Sequence, residues 1–217
     1  MGKSIGRLLA SAGLCCIVAG VFAPPAEGQT YVWNGGAGTA YWWDVRRDYR
    51  DPEDPSDDMW YNNWGFAENH APDPQTDFPH AGHAIIGSAT GVVAQDEPGI
   101  SELTIGQGGS LIPQSLVVPT VHNDGAILLN GYAGYTHFSG FADVGLIDGS
   151  GQIVFGSQGT QYNRICGDSL VIGAGQTVTC EAGGGGGTIC AGLELHGEIN
   201  AVGGWIYLTL PTGSLDR

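Results

Sequence analysis

Short apolar strands punctuated by glycine recur along residues 91–217 at intervals in the low twenties. "SELTIGQGGSLI" (101–112) and "DSLVIGAGQTVT" (168–179) align without a gap at an offset of 67. A second pattern puts glycine two residues before isoleucine, at Gly125-Ala126-Ile127, Gly151-Gln152-Ile153 and Gly197-Glu198-Ile199. The step from Ile127 to Ile153 is close to the step from Leu170 to Leu193, and the interval from Ile153 to Ile199 is twice the latter. A strand–turn unit of this size cannot bury its own apolar face, so such units stack and share a core. The expectation is an all-β solenoid over 91–217, with an ordinary β-sandwich as the alternative. Alternation along each strand predicts that Leu103, Ile105, Leu116, Val118, Ile127, Leu129, Ile153, Phe155, Leu170, Ile172, Leu193, Leu195, Ile206 and Leu208 point inward.

Composition agrees. Glycine supplies 38 of 217 residues and charged side chains only 13%, against an ordinary share of roughly 7% and 25%. Strong helix formers are scarce, while Val, Ile, Thr, Tyr and Trp are common, which favours strands and tight turns.

Positions 1–28 read as a secretory signal peptide. Lys3 and Arg7 precede an uncharged apolar run from Leu8 to Phe22, and Ala26-Glu27-Gly28 offers a small-residue cleavage site before Gln29. The run is shorter than the roughly 20 residues a membrane helix needs, and no later stretch is long enough to span. Leu14 and Cys15 stand where a lipoprotein signature wants a small residue, so Cys15 and Cys16 are not expected to be lipidated. The expected location is secreted or cell-surface. From Gln29 onward there are 5 basic and 21 acidic side chains, a formal charge of −16. Nucleic acid, which needs a basic footprint, is excluded as a partner.

Residues 29–90 differ in tone, holding five of the six tryptophans and five of the eleven prolines. Their pattern is Trp33-Asn34-Gly35-Gly36, then Trp42 or Trp43, then Asn62-Asn63-Trp64, Pro79 and Gly82, with His83 before the apolar Ala84-Ile85-Ile86. This pattern, with the Gly-x-Ile units downstream, resembles the N-terminal module of exported bacterial proteins of the autotransporter-like β-helix class. The resemblance implies a right-handed parallel β-helix. It departs at His83, where the class has Asp, and in a long insert from Val45 to Tyr61. A solenoid must cover its first coil, and Trp33, Trp43, Trp60 and Trp64 are large enough to do so. The rival expectation is a sugar-stacking platform of Trp42, Trp43, Trp60 and Trp64.

Three constellations bear on chemistry. Residues 44–58 carry seven acids; Asp51, Asp54, Asp57 and Asp58 are the candidates for Ca2+, which takes six to eight oxygens. The spacing is not that of an EF-hand, and a solvated loop with internal ion pairs competes. His70, Asp77, His80 and His83 form a loose second cluster, of which His80-Ala-Gly-His83 places two imidazoles near one metal. "EAGGGGGT" (181–188) lacks the lysine of a phosphate loop and reads as a flexible protruding loop. No nucleophile elbow or dinucleotide fingerprint is present.

Two functions follow. The first is a non-catalytic extracellular structural or cell-surface protein, adhesive in character. The second is a carbohydrate-active enzyme (polysaccharide lyase or glycosidase) or a glycan-binding module. Acids are sparse among the strands, and Arg164 is the only arginine there before the terminal Arg217, which argues against an acidic polysaccharide. Cys166 and Cys190 are separated by about one coil, so they are predicted neighbours and the disulfide candidate, with Cys180 left over. At the C-terminus, "GGWIYLTLPTGSLDR" begins another coil, and the strand edge around Trp205 to Leu210 is predicted to be exposed, either because the solenoid is an incomplete piece of a longer surface protein or because the edge is available for self-association.

Overall fold

The computed structural model describes residues 29–35, 38–43, 45–48, 59–65, 67–68, 79, 82–94, 99–131 and 139–209. They form a parallel β-solenoid. One ladder runs β1 (Thr30–Val32), β5 (His83–Ile86), β7 (Glu102–Ile105), β10 (Thr120–Asn123), β13 (Leu146–Asp148). A second runs β6 (Val92–Ala94), β8 (Ser110–Pro113), β11 (Ala126–Leu129), β14 (Gln152–Phe155), β16 (Thr177–Cys180), β18 (Glu198–Asn200). A third begins with β9 (Leu116–Val117) and β12 (Ser139–Ala142). The long strands β15 (Asn163–Ile172) and β17 (Gly186–Leu195) turn a corner and join the first ladder to the third, with a register shift between Cys166 and Ser169. The last described strand, β19 (Trp205–Thr209), pairs with β17 among the described residues. β2 (Val45–Asp48), β3 (Met59–Asn62) and β4 (Ala67–Glu68) form a separate antiparallel sheet.

The core is built of columns. Ala84, Leu103, Val121, Ile147 and Ile172 stack in one; Val92, Leu111, Ile127, Ile153 and Val178 in another; Leu116, Phe141, Ile165 and Ile189 in the third. All are buried. Each fills the space between its neighbours above and below, so the apolar area no single coil can hide is hidden by repetition.

Coil length is not constant. The rungs of the second ladder stand at Val92, Leu111, Ile127, Ile153, Val178 and Ile199. The shortest step, Leu111 to Ile127, is followed directly by the longest, Ile127 to Ile153. Val178 divides the interval from Ile153 to Ile199 into two unequal coils. The offset between the two aligned sequence segments relates Leu111 to Val178 correctly. It fails one strand earlier, because the ladder stacks Leu103 with Ile172 rather than with Leu170. The corner explains it. The turn from Leu103 to Leu111 is two positions longer than those of Val121–Ile127, Ile147–Ile153 and Ile172–Val178. When the corner shortens, Asn123 takes the place of an apolar residue and its buried amide becomes part of the turn.

Those corners are stapled by buried amides. Asn123 Nδ2 donates to Gln176 Oε1 at 2.9 Å, and Gln176 Nε2 donates back to the Asn123 carbonyl at 2.7 Å and to the Asp148 carbonyl at 2.9 Å. Asn163 Nδ2 donates to the carbonyls of Gly156 and Gly186, and its Oδ1 accepts from the Gly131 N–H at 2.7 Å. Both satisfy backbone groups that leave the ladders at the turn.

The 181–188 run is not the loop expected. Only its first part is an exposed turn; Gly186 and Gly187 are buried residues of β17. A Cβ on Gly187 would run into the Phe155 ring, so glycine there lets the strand close on a core aromatic.

The boundary expected at residue 90 falls inside the stack, since β1 and β5 are already rungs of the first ladder. Tyr41 bridges Val93 and extends the second ladder beneath β6. On this first coil Trp42 is fully buried and Trp64 is 5% exposed. Their rings meet at 4.3 Å, Trp33 meets Trp64 edge-on at 5.0 Å, and Trp64 Nε1 donates to the Trp42 carbonyl at 2.9 Å. Of the adjacent pair Trp42 goes deepest, whereas Trp43 is only partly buried against the core.

At the other end burial falls off. Leu193, Leu195, Ile206 and Leu208 occupy rungs of the last coils, yet Leu193 and Ile206 are partly buried, while Leu195 is 42% and Leu208 59% exposed. Cys166 and Cys190 lie inside β15 and β17, directly paired, and are joined in a disulfide with a Cα separation of 4.6 Å. Cys180 is free, and burial pushes its thiol up.

Candidate functional site

The carboxylates proposed for Ca2+, Asp51, Asp54, Asp57 and Asp58, lie outside the described residues, as do His70, Asp77 and His80. Among the described residues no group of three or more His, Cys, Asp or Glu side chains is placed to hold a metal ion. Trp42 and Trp64 are buried and present no open face for a sugar. Trp60 is half-buried in the antiparallel sheet with the Arg47 guanidinium 4.9 Å above its ring.

Among the described residues, the densest group of ionisable side chains is on the outer surface of the first ladder. Alternation sends His83, Glu102, Thr104, His122 and Asp148 outward, opposite the columns of Ala84, Leu103, Val121 and Ile147. Parallel register then sets them on consecutive rungs: His83 beside Glu102, Thr104 beside His122, His122 beside Asp148. Glu102 Oε1 lies 3.3 Å from His122 Nε2 and 3.7 Å from His83 Nε2. His122 Nδ1 contacts Asp148 Oδ1, and His83 Nε2 is 2.8 Å from the Thr104 hydroxyl. Two imidazole tips therefore face one carboxylate oxygen, and a second carboxylate holds the back of one ring. All four ionisable groups are partly exposed.

Around the adjoining corner lies a shallow, open cleft of about 360 Å³ lined by Asp124, Gly125, Ser150, Gly151, Gln152 and Thr177. Ser150 donates its N–H and its hydroxyl to Asp124 Oδ1, each at 2.8 Å. Those two bonds, the N–H first, with the His122 side chain adding to them, hold the Asp124 carboxyl below its usual value. The arrangement recurs further up the stack, where the Ser157 hydroxyl and N–H donate to Glu181 and lower its carboxyl too.

Of the metal candidates singled out in the sequence, His83 belongs to the ionisable group, where its described neighbours are Glu102 and Thr104. Nothing local marks Glu102, His122 and Asp148 as partners. Each is a full coil away from the next along the chain, and only the register of β7, β10 and β13 joins them. Among the described residues no helix is long and apolar enough to cross a membrane. Comparison with known protein families, curated proteins and solved structures finds no match for this chain.

Proposed function

We propose that this chain is a non-catalytic extracellular structural or cell-surface protein, adhesive in character, exported by its N-terminal signal and related to the autotransporter-like β-helix class. The observation that supports this best is the asymmetry of the stack. One end packs Trp42 and Trp64 into the core, while the last described rung leaves Tyr207 and Leu208 62% and 59% exposed. Exposed apolar side chains on the last described rung suit assembly through that strand. A second reading, a glycan-binding module, draws on the polar cleft at Asp124, Ser150, Gln152 and Thr177. Purified protein screened against a glycan array and a panel of polysaccharides separates the two. Binding without turnover, lost in Asp124→Ala, moves the assignment to a glycan module, and turnover of any polymer overturns the non-catalytic reading. Light scattering at increasing concentration tests edge association, which a strictly monomeric protein would refute.

A further inference from the structure

We propose that the outer face of the first ladder binds one divalent transition metal of the zinc type, through His83, Glu102 and His122, with Asp148 as the residue that positions His122. The site is independent of the structural role above and joins three successive coils, through β5, β7 and β10.

The geometry carries it. Zinc bonds nitrogen and carboxylate oxygen at about 2.0–2.2 Å, so ligand atoms on a tetrahedral ion stand about 3.3–3.5 Å apart. Glu102 Oε1 stands 3.3 Å from His122 Nε2 and 3.7 Å from His83 Nε2, close to the edges of such a tetrahedron. The ligand chemistry is that of an open zinc site: two imidazoles and a carboxylate, with a fourth position for water. A metal-bound imidazole usually gives its other ring nitrogen to a carboxylate, which fixes tautomer and orientation. His122 does this already, its Nδ1 contacting Asp148 while Nε2 faces Glu102.

As it stands the group is an ion-paired chain that is not placed to hold a metal ion, so its side chains must rotate for one to bind. His83 Nε2 is engaged with the Thr104 hydroxyl at 2.8 Å, and that bond must open for His83 to join. These side chains are partly exposed on the outer face, opposite the core columns, which leaves them room to rotate. The backbone positions are fixed by the parallel ladder, which keeps the three ligands on adjacent rungs.

Titration of the purified chain with Co2+, followed by its visible ligand-field bands, and competition with Zn2+ tests this directly. One equivalent is expected, displaced by Zn2+, with a rise in melting temperature that scales with free metal. His122→Asn and Glu102→Gln should abolish the bands while the circular dichroism spectrum stays that of the parent. Asp148→Asn should keep the stoichiometry and weaken affinity by roughly 10–100-fold, as loss of an outer-shell partner does. Absence of binding by the parent overturns the proposal. So does parent-level binding in His122→Asn, which would place the metal on other ligands. Equal weakening of Ca2+ and Zn2+ by Asp148→Asn would show general charge loss rather than positioning, and also overturns it.

Discussion

The two ends of the stack carry the same kind of residue in the same kind of register, yet their burial is opposite. At the first coils Trp42, Ala84 and Ile86 are fully buried. At the last, Leu195 and Leu208 continue the columns of Ile172 and Ile189 and are largely exposed. Pointing inward is a property of the strand, set by alternation. Being buried is a property of the neighbours, and a solenoid rung needs one on each side. The first coil obtains its second neighbour from the segment 59–65, whose Trp64 packs on Trp42 and whose Asn63 carbonyl accepts from the Asn34 N–H at 2.8 Å.

The sharpest test of that contrast is truncation of one residue at each end. Trp64→Ala should cost about 3–5 kcal/mol, since it removes a buried aromatic and leaves a cavity under the first coil. Leu208→Ala should stay within about 1 kcal/mol. Urea denaturation with an unchanged slope measures both, and equal losses would mean that the two ends are packed alike.

Next in size is the disulfide. Cys166→Ser with Cys190→Ser should lower stability by about 2–4 kcal/mol and speed amide exchange in 186–209, whose burial falls off from Leu193 onward. Exchange in 83–129 should hardly change. Uniform acceleration along the chain would show that the stack opens as one unit rather than from its last described rungs.

The amide staples come third. Asn163→Ala strands the Gly131 N–H and the Gly186 carbonyl, so a loss of about 1–3 kcal/mol is expected. Asn163→Asp should not rescue it, because a carboxylate cannot donate to those carbonyls. Recovery to parent stability would mean that water takes the amide's place.

The smallest effect is that of acid. Asp124 and Glu181 have folded carboxyls lowered by serine donors, so the unfolded chain binds protons more readily than the folded one. Their contribution is present above the unfolded carboxylate range, about pH 4, and is lost as pH falls through the lower folded values. Parent and Asp124→Asn/Glu181→Gln proteins should therefore differ slightly at neutral pH and converge in acid. A gap that widens on acidification would reverse the assignment. Both groups are exposed, so salt should shrink the gap as well.

Much of the fold was legible because it is local. Alternation at Ile127–Leu129 and Ile153–Phe155, and glycine before each strand, are written in consecutive residues, and the stacking of those two strands follows from them. The spacings of Leu170 from Leu193 and of Cys166 from Cys190 likewise appear as paired registers in β15 and β17. A constant period was the weak assumption. The corner shortens by two positions between Leu103–Leu111 and Val121–Ile127, so identical-looking repeats slip by one inward position.

That slip marks the division between what the chain alone determined and what folding decided. Short-range chemistry settled that the protein is all-β, that its coils stack, and which side chains of each strand turn inward. The tertiary structure decided who stands beside whom across the rungs: His122 between Glu102 and Asp148, Asn123 against Gln176 two coils away, Trp42 under Trp64. Such neighbours depend on the summed lengths of every turn between them. Each turn can lose or gain residues without disturbing the alternation, so the strand pattern carries no record of the outer-face partners.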